Sequence, residues 1–296
     1  MTAFVPPYAG PVPAELFAAF CDDAAVFPPG ELPLAQAVRA HLRHVTAAHA
    51  PLVGPLVVPQ ARLPELAELT AGHERQSLDL AVTVPSPEAA GQALASVTGL
   101  PTARLRVLEV AVPEGVPTAE IVPRLTTALR NADDRTGVTV YVEVPRDERR
   151  PGLIASLADS PFQAKFRTGG VRAELYPDER ELARAVLLAV RAQVPFKATA
   201  GLHHAVRNTD PRTGFEQHGH LNLLAATGAA LGGAGEGEVV AVLAEREATT
   251  VAGLVGALSP EVRSVFRSFG TCSLAEPVGE LAALGLLDPD LTKDLL

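Results

Sequence analysis

VTVYVEVP (138–145), FQAKFRT (162–168) and VPFKATAG (194–201) are three short apolar runs of one type. Each is no longer than eight residues, rich in Val or Phe, and bounded by Pro or Gly, as strands of a buried parallel sheet should be. Between the last two lies DERELARAVLLAVRA (178–192), with acids first and apolar residues at helical spacing, so the unit reads strand–helix–strand. The same alternation continues outward. PLVVPQ (55–60), DLAVTVP (79–85) and RVLEVAVP (106–113) precede it, and EVVAVLAE (238–245) and SVFRSFGT (264–271) follow as weaker strands. Helical patterns occupy 62–71, 86–98, 118–131, 220–231 and 276–284, the second opening on Ser-Pro-Glu, a cap followed by proline at the first helical position. Spacing between strands is roughly 24–33 residues, the length of a βα unit. Eight strands in this alternation predict an α/β fold, a (β/α)8 TIM-type barrel over 51–296. The first 50 residues read as a helical extension of the same single domain, with helices at 14–20 and 34–49 and a loop at CDDAAVFPPGELP. An open doubly wound sheet is the alternative; it lacks support because no GxGxxG turn or GxxxxGK[ST] loop occurs.

The chain has 296 residues, 47% of them hydrophobic, enough for a large core. A formal charge of −9 gives no electrostatic reason to expect nucleic acid as a partner. No apolar run reaches 18 residues, and the amino terminus MTAFVPPYAGPVPAELF has no basic residue, so neither a membrane span nor a signal peptide is expected. Two cysteines, Cys21 and Cys272, are too few for a disulfide framework, so the expected location is cytoplasmic and the expected partner a small molecule; a homo-oligomer stays open. Of 25 basic side chains only three are lysines, Lys165, Lys197 and Lys293. Arginine cannot act as a nucleophile, whereas a buried lysine can, so lysines kept inside strands point to amine chemistry. Snorkelling or structural ion pairing is the bland alternative.

Side chains alternate along a strand, and a barrel's site lies at the carboxyl ends of its strands. Lys165 and Arg167 share one face, as do Lys197 and Thr199, Tyr141 and Glu143, and Glu109 with Val107 and Ala111. The apolar partners belong against helices, so the polar sets are expected to point inward. Glu109, Glu143 and Tyr141 are candidate proton shuttles. Gly169 and Gly170 would let backbone N–H groups approach an anion. A Glu–Lys–Arg network that merely fills the interior is the structural alternative.

Lys197-Ala198-Thr199-Ala200-Gly201 resembles the K-x-[ST]-x-G strand end of deoxyribose-phosphate aldolases, and Lys165 through Arg172, K-F-R-T-G-G-V-R, is similar to that family's K-A-[SA]-G-G-[IV]-R motif with one extra residue. The two motifs stand in the reverse chain order. The resemblance implies a lysine-imine barrel, with Lys197 as nucleophile and Lys165 in support. Burial and the neighbouring cations Lys165 and Arg167 are expected to lower the Lys197 pKa.

Four histidines fall within 18 residues: His203, His204, His218 and His220. They are expected to roof the lysine site, His204 as an acid–base group and His203, His218 and His220 as substrate contacts, with Arg207 closing over an anionic group. An H-x-H pair also begins many metal sites. Ser268, Thr271, Cys272 and Ser273 could line the same mouth, and Asp22 and Asp23 either cap a helix or reach over the barrel. The leading expectation is an aldolase-like lyase acting through a lysine imine on a small anionic carbonyl compound, with neither cofactor nor metal. The alternatives are a metal-dependent hydrolase or lyase built on the histidines, and a non-catalytic ligand-binding barrel.

Overall fold

The computed structural model describes residues 13–130 and 137–295. Eight parallel strands close into a barrel: β1 (Cys21–Asp23), β2 (Val53–Pro59), β3 (Leu78–Val84), β4 (Ala103–Val110), β5 (Thr139–Glu143), β6 (Gln163–Arg167), β7 (Phe196–Thr199) and, after a small hairpin of β8 (Asn208–Thr209) and β9 (Glu216–Gln217), β10 (Phe266–Thr271). β1 pairs with β10 on one side and β2 on the other, closing the ring. Helices α1 (Leu34–His44), α2 (Leu63–Thr70), α3 (Ala90–Thr98), α4 (Thr118–Leu129), α5 (Arg150–Ala158) and α6 (Glu179–Arg191) follow β1 to β6 in turn. α7 (His220–Leu231), α8 (Glu236–Ala244) and α9 (Ala248–Gly256) come between β7 and β10, and α10 (Ala275–Ala283) follows β10. This is the expected TIM barrel. Among the described residues no helix is long and apolar enough to cross a membrane.

Two elements differ from the sequence reading. The first barrel strand comes from the segment expected to be a loop in a helical extension: Cys21–Asp23 completes the ring, so the barrel begins before residue 51. Of the extension's helices, 34–44 forms and 14–16 is a single 3-10 turn. The run 238–245 is not a strand but most of α8. Glu236 and Glu238 sit in its first turn, and the Glu238 carboxylate accepts from the Gly235 N–H at 2.8 Å. Val239 and Leu243, one helical turn apart, are its buried residues, and the helix packs on α6 and α7. A short apolar run fits either state; here the acidic start and the four-residue spacing decide for helix.

The alternation of side chains holds where it matters. Leu108, Val110, Val140, Val142, Ala164, Phe166, Phe196 and Ala198 all join the apolar layer between strands and helices. α6 shows how that layer is covered: Asp178 caps it by accepting from the Glu181 N–H at 2.7 Å, and it buries Leu182, Val186 and Ala189 on one face.

Candidate functional site

With the apolar residues facing the helices, the intervening polar ones meet inside the barrel. Register aligns them: Glu109 opposite Tyr141, Glu143 opposite Lys165, Lys165 opposite Lys197, and Arg167 opposite Thr199. The result is a continuous chain of alternating charge. Arg167 Nε donates to Glu143 at 2.9 Å, and Lys165 Nζ lies 2.8 Å from Glu143 and 2.9 Å from Glu109. Lys197 Nζ donates to the other oxygen of Glu109 and, at 2.6 Å, to Asp22. Ser268 Oγ donates to the same Asp22 oxygen at 2.7 Å. Gly54 on β2 makes room for that carboxylate, since a Cβ there would stand 2.1 Å from Asp22 Oδ1. Tyr141 lies inside the barrel with its ring centroid 5.6 Å from Lys197 Nζ.

The electrostatics reverse one expectation. Burial alone would strip the charge from both lysines. Instead Asp22 and Glu109 hold the Lys197 pKa above the ordinary lysine value, and Glu109 and Glu143 do the same for Lys165. Lys197 is therefore not a neutral amine at rest: the sequence pointed to the neighbouring cations but left Asp22 open between a helix cap and a group reaching over the barrel. Burial pushes Glu109 and Glu143 up, but the lysines, with Arg167 for Glu143, outweigh it and hold each at about 2. Asp22 goes the other way; burial, reinforced by the charge of Glu109, raises it despite Lys197. Tyr141 is raised to about 12 by burial.

Above the network opens a cavity of about 1230 Å³ at the carboxyl ends of the strands. Glu109, Glu143, Lys165, Arg167 and Thr199 form part of its wall, whereas Lys197 is 1% exposed and lies beneath it. The β8–β9 hairpin supplies a rim through Asp210, Arg212, Phe215 and Gln217, and Phe215 packs on Tyr176 with centroids 5.6 Å apart. Ala200, in the wall, holds a left-handed φ of 64°; Thr168 Oγ1 donates to its carbonyl at 2.6 Å.

The histidines part company. His203 alone of the four is in the cavity wall, beside Cys272, with Nδ1 3.6 Å from Sγ; burial lowers the imidazole pKa and raises that of the thiol. No sequence pattern tied that cysteine to a histidine. His204 Nδ1 pairs with Glu280 at 2.6 Å. A ring N–H of His218 donates to the Pro177 carbonyl at 2.8 Å, and its other nitrogen faces Arg207 at 3.3 Å. Arg207 is held by Glu179 at 2.6 Å and Glu216 at 3.1 Å, away from the cavity wall. His220 is buried, stacked on Phe269 at 4.6 Å, with neither ring nitrogen hydrogen-bonded among the described residues. The expected roof over the lysines therefore reduces to His203. Among the described residues no group of three His, Cys, Asp or Glu side chains is arranged to hold a metal ion. Of the two glycines, Gly170 lies in the cavity wall. A Cβ on Gly169 would stand 2.6 Å from Gly201 Cα, and one on Gly170 2.5 Å from Leu175 Cδ1. The absence of side chains at both permits close packing of the loops.

Fold and site together define a TIM barrel with paired lysines and carboxylates at its carboxyl end. No family model matches the chain, and no curated protein matches it in sequence. Among solved structures it is similar to the deoxyribose phosphate aldolase of Aeropyrum pernix, reported as a unique tetramer, with a TM-score of 0.52 and 15% identity over 92% of this chain and 93% of that one. An aldo-keto reductase of the silkworm Bombyx mori superposes more loosely, with a TM-score of 0.44 and 10% identity over 92% and 81% of the two chains. So does active domain 2 of the Pyrococcus furiosus chitinase, at 0.43 and 11% over 95% and 100%. At such identities the likeness is one of fold.

Proposed function

We propose that this barrel is an aldolase-like lyase in which a lysine of the cavity forms an imine with a carbonyl substrate, and that the lysine is Lys165. The observation that carries the reading is its amine in the cavity wall, flanked at 2.9 and 2.8 Å by Glu109 and Glu143. The resemblance in sequence gave the nucleophile's place to Lys197. Its burial under the wall, between Asp22 and Glu109, favours the supporting place instead.

At rest Lys165 is an ammonium, so the first step is proton transfer to Glu143 or Glu109. Excluding water from an ion pair favours its neutral form, and an entering substrate does this. The free amine adds to the carbonyl carbon. The carbinolamine hydroxyl, protonated by the same carboxylic acid, leaves as water and gives the iminium. The carboxylate, ionised again, takes the proton of a hydroxyl on the β carbon; the Cα–Cβ bond then breaks, the β fragment leaves as an aldehyde, and the bonding pair passes toward the iminium nitrogen as an enamine. Protonation of the enamine carbon and hydrolysis return the amine. Lys197, charged and bound to Glu109, opposes the positive charge on Lys165 and so favours the neutral nucleophile.

Borohydride reduction in the presence of a panel of aldehydes and 2-oxo acids, followed by peptide mass spectrometry, tests this. The adduct is expected on Lys165 and absent from Lys165→Ala. No adduct with any of the panel, or adducts confined to Lys293, would overturn it and leave a non-catalytic ligand-binding barrel; an adduct confined to Lys197 would overturn the role given to Lys165 and return the nucleophile to Lys197. The partner proposed is a small molecule; self-association is to be read from the mass in solution.

A further inference from the structure

We infer that the carbonyl compound taken by this cavity carries an extended, uncharged apolar tail, which lies in an arm of the cavity between α2 and α3. The inference deepens the imine reading and rests on it for the head group alone.

Size is the first ground. Ordinary small-molecule pockets run from about 300 to 1,000 Å³, and this one is about 1230 Å³. A short carbonyl compound at Lys165 would leave most of it empty. The arrangement of the wall is the second. Every charged group of the floor comes from β4, β5 and β6. The opposite wall, from the ends of β2 and β3 and from α2 and α3, is built of Val57, Leu63, Pro64, Ala67, Val84 and Leu100, and among the described residues that side contributes no charged side chain. Gln92 and Ser96, one turn apart on α3, are exposed and mark the outer edge. Since residues of both helices line one cavity, it runs out from the barrel mouth between them.

The third ground is the lack of a grip for an anion. Lys165 and Arg167 are engaged by Glu109 and Glu143. Arg212 is exposed on the hairpin, at the rim rather than on the floor; its backbone N–H donates to the Asp210 carboxylate at 2.7 Å. Lys, Arg, Asp and Glu residues in the described lining number three basic to three acidic, and both basic side chains of the floor are ion-paired. A phosphate or carboxylate lowered to the floor would meet Glu143 and Glu109 without a spare cation to offset them. An alkyl chain against the α2–α3 wall meets no such cost.

Binding of a series of unbranched alcohols from butanol to decanol, measured by calorimetry, reads the tail site without any imine chemistry. Each added methylene is expected to tighten binding by about two- to fourfold, and inorganic phosphate should not displace the alcohols. Ala67→Glu on α2 and Ser96→Glu on α3 each place a carboxylate in the arm and should flatten the series, while borohydride labelling of Lys165 by propanal stays as in the parent. A flat series in the parent, or displacement by phosphate, overturns the tail and leaves the imine reading intact. A steep series with no Lys165 adduct from any aldehyde overturns the imine reading and leaves the tail site standing.

Discussion

Lys165 and Lys197 stand opposite one another in the parallel register of β6 and β7, and Glu109 takes a hydrogen bond from each. One carboxylate therefore divides its two oxygens between two ammonium groups, with Asp22 on the far side of Lys197 and Glu143 on the far side of Lys165. Two like charges side by side in a barrel interior persist only because negative charges are interleaved with them.

Glu109→Gln removes the shared negative charge while keeping the volume of the side chain. Breaking a buried pair by deleting one partner costs about 3–5 kcal/mol, and this residue serves two. Urea unfolding is expected to show a fall in midpoint of that order. A change under about 1 kcal/mol would mean the two lysines do not depend on Glu109.

Acid stability follows from the same residues. Glu109 and Glu143 sit at about 2 in the folded chain against an ordinary 4.5. Their contribution is complete above the unfolded value, because both states are then ionised. It drains away as pH falls from there through the folded value, since the unfolded chain binds the protons first. Thermal midpoints should drop steeply across that window. In Glu143→Gln the slope should be shallower, and an unchanged slope would remove Glu143 from the account.

His220 adds to the same trend from a different cause. Burial lowers it from 6.5 to about 3, and neither nitrogen has a hydrogen-bond partner among the described residues. Between those values the unfolded chain carries a proton that the folded chain refuses, so His220 destabilises the fold as pH falls through 6.5 toward 3. His220→Leu removes two unpaired buried polar atoms and should gain about 1–3 kcal/mol at neutral pH, with the mildly acidic slope reduced. Loss of stability at both pH values would show that the stacking on Phe269 outweighs the unpaired nitrogens.

Glycine substitutions separate close packing from helix propensity. Gly169→Ala drives a methyl group to 2.6 Å from Gly201 Cα and 2.7 Å from Tyr176 Cε1, and overpacking of this kind costs about 1–3 kcal/mol. Gly237→Ala, in the first turn of α8 with nothing within 4 Å, should instead gain about 0.5–1 kcal/mol. Calorimetric melting of the two variants is expected to move in opposite directions.

The polar face of the barrel was legible because a strand's period is two: once Phe166, Ala198 and Val142 face the helices, Lys165, Lys197 and Glu143 face inward. Depth was not legible. Lys165 and Lys197 share a register position, yet one reaches the cavity and the other lies beneath it, because stagger around a tilted barrel is not written in either strand alone. β1 escaped notice because three residues, two of them aspartates, carry no apolar pattern; with it went Asp22 and hence the charge state of Lys197. The histidines misled through closeness in sequence. The β8–β9 hairpin and the start of α7 carry His218 and His220 away from His203, which alone lines the cavity.

The bond from Ser268 to Asp22 spans 246 residues and joins the last strand of the ring to the first. The ring's seam thus lies between the two parts of the barrel made furthest apart in time. A chain emerging from the ribosome carries Lys197 long before Phe266–Thr271 can bring β1 alongside it, so the interior stays open to water until nearly the whole barrel exists. Such long-range closure is slow. It also means that the ammonium of Lys197 obtains its second carboxylate, and the interior network its balance of charge, only when the last strand closes the ring.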